Sequence, residues 1–291
     1  MTHGQAYALL ALVTVIWAGN FPLAKAGLSE LSPITLTATR ALVTAPVLLG
    51  IVRMVYGPPP PLRRRDYATF VTLAVAGLVG NTTMWYWGMR YTSPVNAGIL
   101  GAAAPVIVAV ASALWLRDPL TRRNVLGVAL TALAVLLTVA HGSFKVLRTL
   151  SFNRGDIIIL CSQLLWTVYT LYSRANKSAL PSATVQAGVY TVSALALLPL
   201  ALFEHPWASL PRAGWAGWGA ILYAAAFGTV SHIWYYQCVR VVGAGRAAVF
   251  TNLTPFVVIA LSALLLGVPI RWYHLVGATV VLAGVVLATA K

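Results

Sequence analysis

The sequence predicts an all-α integral membrane protein, with ten transmembrane helices arranged as two inverted five-helix repeats around a central cavity. Three observations predict it. Of the 291 residues, 59% are hydrophobic and only 9% are charged, against ~25% charged in typical soluble proteins, which excludes a water-soluble globule. The apolar residues fall into runs near the ~20 residues that a helix rising ~1.5 Å per residue needs to cross a ~30 Å hydrocarbon layer. The chain also matches itself at an offset of about 150 residues.

Taken in order, the runs are Ala6–Ala26, Pro33–Val55, Tyr67–Met89, Val95–Leu116, Val125–His141, Ile157–Leu171, Thr184–Phe203, Trp215–Val239, Ala247–Gly267 and Trp272–Ala290. The first has no basic segment before it and no small-residue cleavage site after it, so it reads as a retained span. Connections such as Gly57-Pro58-Pro59-Pro60-Pro61 cannot continue a helix, because proline fixes φ and lacks the amide donor.

The formal net charge is +15, which on a soluble protein would suggest nucleic acid. Here the cations sit between apolar runs rather than on one face, so they read as loops that orient a membrane protein, and no nucleic-acid partner is expected. With a cytoplasmic N-terminus, the inner segments hold 12 Lys and Arg and the outer ones 7, with Arg40 left inside a span. Both termini are therefore expected in the cytoplasm of a bacterial inner membrane. Cys161 and Cys238 fall near opposite ends of their spans, too far apart for a disulfide, and read as small packing residues.

At an offset of 150, Ala97, Pro105, Ser112 and Pro119 meet Ala247, Pro255, Ser262 and Pro269. At 149, Trp17 meets Trp166, Lys25 meets Arg174, and Trp85-Tyr86 meets Trp234-Tyr235. Paired prolines and tryptophans are not cheap coincidences in an alanine- and leucine-rich chain. Residues 1–145 and 146–291 thus form two domains of five spans each. Because five is odd, the second must enter the membrane upside down, the recurrent plan of secondary transporters that hold substrate between the halves.

Trp17-Ala18-Gly19-Asn20-Phe21 followed by Lys25, Arg40 in the second span, and the Ala104-Pro105 and Thr254-Pro255 elements resemble the drug/metabolite transporter superfamily with two EamA-type repeats. The resemblance covers nearly the whole chain. Within the superfamily the sequence is similar to the YddG-type bacterial exporters of aromatic amino acids, although the motifs specify the superfamily better than the cargo. The resemblance implies a cavity lined by spans 1, 3, 4, 6, 8 and 9, with spans 5 and 10 peripheral.

The residues themselves point to similar walls. Spans 5 and 10 are almost uniformly aliphatic over their middles, whereas spans 1, 3, 6, 8 and 9 carry polar or amphipathic side chains at helical spacing, which hydrocarbon tolerates only when they face the bundle interior. Trp17, Asn20 and Phe21 share one face of span 1. Trp166 and Tyr169 repeat that pattern in span 6, Asn81 and Trp85 pair in span 3, His232 and Tyr236 pair in span 8, and Thr251 and Thr254 precede Pro255. Aromatic faces with a few amides and hydroxyls suit an amphipathic cargo such as an amino acid with a bulky side chain.

Plainer roles compete for the same residues. Trp85 has an equal claim to the aromatic belt at the membrane interface. His232 is a lone histidine and fits hydrogen-bonded packing, and without companions it is no metal ligand. The threonines have an equal claim to satisfying carbonyls freed by Pro255. Arg40, about seven residues inside its span, could face the interior to attract a carboxylate, but snorkelling outward or binding helix-end carbonyls favours a structural or electrostatic reading, which Lys25 shares. Pro105 and Pro255 would kink their helices and serve as hinges, with Gly19, Gly98 and Gly101 allowing close approach.

All five carboxylates lie in loops or at span ends. That leaves no mid-membrane acidic relay for protons and favours gradient-driven, facilitated efflux. There is no H-E-x-x-H, no G-x-S-x-G and no P-loop, so the chain is not expected to be an enzyme, to bind a metal or to need a cofactor. The expectation is a monomeric exporter of aromatic or other bulky neutral amino acids and similar metabolites, working by alternating access. The alternatives are a carrier of other small organic metabolites or anions, or a membrane scaffold or channel.

Overall fold

Helix α1 (His3–Glu30) starts where Thr2 and Gln5 cap each other: the Gln5 amide donates to Thr2 Oγ1 at 3.3 Å and the Thr2 amide to Gln5 Oε1 at 2.9 Å. The computed structural model describes residues 1–58, 61–91, 104–115, 117, 121–139, 143, 154–176, 178–250, 253–254, 256–257 and 272–289, and no strand occurs among them. Helix α2 (Pro33–Tyr56) opens on a proline, whose missing amide hydrogen costs nothing in a first turn, and ends at Gly57, whose φ of 75° stops the helix. Helix α3 spans Arg64–Tyr91. The others are α4 (Ala104–Trp115), α5 (Arg122–Val139), α6 (Arg154–Ala175) and α7 (Ser182–Leu202). Helix α8 runs Trp215–Tyr223, Ala224–Gly228 and Thr229–Val242 without a break, and Ala244–Phe250 and Trp272–Thr289 form α9 and α10.

Among the described residues, four helices are long and apolar enough to cross a membrane: α1, α2, α3 and α7. Their outward faces carry large bare side chains such as Val47, Met54, Leu195 and Phe203, each more than half exposed. Such surface is stable only against lipid or another apolar partner.

Helix α2 packs along α7 and α5 along α10. Helix α1 lies on α8, and α3 lies on α6. Close approach depends on missing side chains: a Cβ on Gly188 of α7 would stand 2.6 Å from the Phe70 ring of α3, and one on Gly88 of α3 would stand 2.6 Å from Ile159 of α6.

Three carboxylates join helices end to end. Glu30, the last residue of α1, accepts from the amides of Gly214 and Gly217 at 2.8 and 2.7 Å, at the start of α8. Glu204, just past α7, accepts from the Thr35 amide at 2.8 Å, from Thr35 Oγ1 at 3.0 Å and from the Ser32 hydroxyl at the start of α2. Asp66 accepts from the Arg63 amide at 2.9 Å within the first turn of α3 and from Ser178 Oγ at 3.2 Å, beyond the end of α6. The first turn of a helix has amides without intrahelical partners and a partial positive charge, so a carboxylate there satisfies both.

Two segments depart from α geometry. Val75–Thr82 of α3 and Ala224–Gly228 of α8 wind as π-helix. Their first residues are 149 positions apart, the same separation that joins Trp17 to Trp166. Neither turn contains proline, and neither was expected from the sequence. The π winding is rare and concentrates at functional positions within helices.

The cysteines divide. Cys238 is buried, with Sγ donating to the Ala6 carbonyl at 3.4 Å, as expected of a packing residue. Cys161 is exposed, so the reading of it as packed is corrected: it lies on the outward face of α6.

Removing the α8 cap tests this account of the helix ends. Glu30→Ala should destabilise the purified protein by about 0.5–2 kcal/mol, read as a lower thermal unfolding midpoint in detergent. Lys25→Ala, at an exposed position of the same helix, should leave the midpoint unchanged.

Candidate functional site

Trp17 and Trp166 each sit about halfway along their helices, and their rings meet edge to face at 5.2 Å and 80°. Tyr235 completes the group, 5.1 Å from Trp17 and 5.0 Å from Trp166, with His232 5.7 Å from Trp17. Trp166 also stacks on Tyr169, at 5.2 Å and 11°. Each such pair adds ~0.5–1.5 kcal/mol beyond area burial, so the cluster holds its rings in place before anything binds.

The polar edges of these rings are tied down. The Trp17 indole donates to Ser231 Oγ at 2.9 Å, and Ser231 Oγ donates onward to the Gly228 carbonyl at 2.7 Å. His232 Nδ1 donates to the same carbonyl at 2.6 Å, which leaves Nε2 as the ring's acceptor. Two side chains thus converge on one carbonyl where the π turn of α8 returns to α geometry. On the opposite wall, the Tyr169 ring covers Gly77 in the π turn of α3, where a Cβ would stand 3.0 Å from it. The Tyr169 hydroxyl accepts from Gln186 Nε2 at 2.9 Å. Tyr169 and Tyr235 are fully buried, whereas Trp17 and His232 are half-buried and form the accessible face.

Arg40 lies on the other side of Gly228. Only 3% of it is exposed, and Nη2 donates to the Tyr190 hydroxyl at 2.8 Å, with the guanidinium 5.7 Å from the Tyr190 ring centre. A Cβ on Gly228 would stand 2.7 Å from Nη2, so the absence of a side chain there makes room for the guanidinium. Tyr86 lies close enough to interact with Arg40, and its hydroxyl accepts from Asn20 Nδ2 at 3.3 Å. Arg40 is therefore enclosed among α2, α3, α7 and α8.

Of the residues the sequence nominates, Trp17, Trp166, Tyr169 and His232 come together, and Asn20 joins Arg40 through Tyr86. Asn81 lies in the π turn of α3 and donates to the Ser162 carbonyl at 2.8 Å. Trp85 packs instead with Leu28, Met89 and Ile159. Tyr236 also sits elsewhere: its hydroxyl accepts from Asn176 Nδ2 at 2.8 Å beside Arg240, and its neighbour Tyr235 takes the place beside Trp17. Lys25 is exposed, and Thr254 is half-buried. Gly19 admits the hydroxyl of Tyr223, which donates to the Ile16 carbonyl at 2.9 Å. The side chains of Phe21 and Pro105, and all of Gly98, Gly101, Thr251 and Pro255, lie outside the described residues.

Ser231, Tyr86, Tyr190 and Gln186 were not anticipated. Tyr86 and Tyr235 did have a signal, because both belong to the Trp-Tyr pairs that the 149-residue offset superimposes.

With this geometry in place, two matches settle the family. The model of the EamA-like transporter family matches residues 4–140 and again 153–290. The chain belongs to that family. It is 30% identical over 293 residues to the uncharacterized transporter YyaM of Bacillus subtilis (strain 168), covering 99% of this chain and 95% of that one. It is 28% identical to an uncharacterized transporter of Archaeoglobus fulgidus over 99% of both. The uncharacterized inner membrane transporter YhbE of Escherichia coli (strain K12) is 30% identical over 66% of this chain and 61% of its own. A crystal structure at 17% identity shares the fold, with a TM-score of 0.78 over 98% of each chain. The molecule is thus an all-helical membrane transporter with two EamA domains, and its family is one of transporters rather than enzymes.

The tie between α6 and α7 can be tested by removing it in two ways. Tyr169→Phe leaves the buried Gln186 amide without its acceptor and should cost about 1–3 kcal/mol. Adding Gln186→Leu should recover part of that loss, because an apolar pair leaves no orphan donor. Thermal unfolding of the single and double variants checks both.

Proposed function

We propose that this transporter exports aromatic or other bulky neutral amino acids, and similar amphipathic metabolites, by alternating access across a bacterial inner membrane with both termini in the cytoplasm. The observation that carries the reading is the mid-height cluster of Trp17, Trp166, Tyr235 and His232. Its flat apolar faces, with one accessible imidazole, match a ring-bearing side chain better than a sugar or an inorganic ion.

Alternating access asks for two halves that can exchange roles, here residues 1–145 and 146–291 in opposite orientation. Matched details support that arrangement. Each half has its π turn at the corresponding position. Arg90 Nη2 donates to the Leu31 carbonyl at 3.4 Å, and Arg240 Nη2 donates to the Ser178 carbonyl at 3.1 Å, each arginine steadying the chain that follows another helix. The π turns and the Pro105–Pro255 pair are the weak points at which half-helices tilt.

A carrier of multiply charged anions is the competing reading. Arg40 is the only buried basic side chain among the described residues, which suits one carboxylate and not several.

Purified protein in liposomes should give saturable counterflow of labelled phenylalanine or tryptophan, competed by unlabelled aromatic amino acids. Uptake that never saturates would mean a channel, and none at all a scaffold. Trp17→Ala should lower the initial rate by about tenfold or more, the loss of ~1.4 kcal/mol or more of ring contact.

The hinges have their own test. Pro105→Ala and Pro255→Ala should slow counterflow while leaving equilibrium binding of phenylalanine unchanged. Unaltered rates in both variants would reject the proline hinges.

A further inference from the structure

Among the described residues, four buried side-chain polar atoms have no hydrogen-bond partner: Asn20 Oδ1, Arg40 Nε, Ser193 Oγ and Thr229 Oγ1. They come from α1, α2, α7 and α8, and they are gathered rather than scattered. Arg40 donates to Tyr190, one helical turn from Ser193, and it abuts Gly228, the residue before Thr229. Asn20 and Arg40 both approach Tyr86, which accepts from the Asn20 amide nitrogen.

A buried guanidinium without a carboxylate is costly. Glu30, Asp66 and Glu204 are held at helix starts and do not reach it. Among the described residues no carboxylate supplies its counter-charge, and Nε–H is half of the side-on fork that a ligand carboxylate accepts in two parallel hydrogen bonds. An anion alone does not explain Asn20, because an amide oxygen repels a carboxylate oxygen. An orphan acceptor and an orphan cationic donor that share Tyr86 as a neighbour fit a ligand that carries both an anionic acceptor and a cationic donor.

We infer that Arg40 and Asn20 form the head-group subsite for a zwitterion, the α-carboxylate accepting from Arg40 Nε and the ammonium donating to Asn20 Oδ1. The ligand's side chain then lies across Gly228 on the Trp17–His232 face, and the Ser193 and Thr229 hydroxyls complete the polar end. This inference rests on the reading that the cargo is an amino acid, and it adds which groups of the cargo are recognised and by what.

The test needs no variant to begin with. In wild-type proteoliposomes, phenylalanine counterflow is competed with unlabelled phenylalanine, phenethylamine, which lacks the carboxylate, and 3-phenylpropionate, which lacks the ammonium. A leucine and isoamylamine pair is run alongside. Each truncated compound should compete at least about tenfold more weakly than its parent, the scale of one charge-assisted hydrogen bond. In Arg40→Gln the preference for phenylalanine over phenethylamine should collapse, and in Asn20→Leu the preference over 3-phenylpropionate should, with folding checked by thermal unfolding. Phenylalanine counterflow that phenethylamine and 3-phenylpropionate inhibit as well as phenylalanine does would overturn the head-group subsite and leave the proposed cargo standing. Counterflow of neither phenylalanine nor leucine would overturn both.

Discussion

A helix that starts near hydrocarbon leaves amide hydrogens that lipid cannot satisfy, and this constraint shapes the molecule. The chain has five carboxylates, and three of them, Glu30, Asp66 and Glu204, meet it by capping a helix start. Glu30 and Glu204 each do so at the far end of another helix, and Asp66 also takes a hydroxyl from beyond α6. These three acidic side chains are therefore spent on holding the ends of the bundle together. The middle of the bundle is left with a guanidinium, an imidazole, amides, hydroxyls and rings.

That division explains how the interior is built. The rings of Trp17, Trp166, Tyr169 and Tyr235 supply packing energy, and their polar edges end on Ser231, Gln186 and Thr170. Arg40 is enclosed by phenols instead of carboxylates. Phenols accept a hydrogen bond from a guanidinium without cancelling its charge. The interior thus keeps one positive charge inside an apolar shell, a strong local field in a region of low dielectric constant.

Much of this was legible in the sequence. Helix boundaries followed from apolar length and from Pro33 and Gly57, because the chemistry of helix ends is local. Trp17 and Trp166 stood out because the repeat matched two rare residues. Three things were not legible. The π turns have no composition of their own, since a winding change in a glycine-containing run depends on what packs against it, here Tyr169 on Gly77 and Arg40 on Gly228. The exchange of Tyr236 for Tyr235 at the cluster is a rotation of one residue, about 100°, downstream of such a turn. The partner of Arg40 was not legible, because Tyr190, 150 residues away, is what holds it.

The contact at Gly19 has a mechanical consequence. With no side chain there, the Tyr223 hydroxyl reaches the Ile16 carbonyl and pins the middle of α1 to the middle of α8, while Glu30 pins their ends. Helices fastened at two heights behave as one strut. On the other side of the bundle, α3 and α6 are joined in the same fashion, by Asn81 to the Ser162 carbonyl and by Asp66 to Ser178. The seam between these two struts carries the edge-to-face contact of Trp17 and Trp166, flanked by a few side-chain hydrogen bonds such as Asn20 to Tyr86 and Thr170 with Tyr235. The struts are thus fastened within themselves largely by ties to the backbone, and to each other largely through side chains.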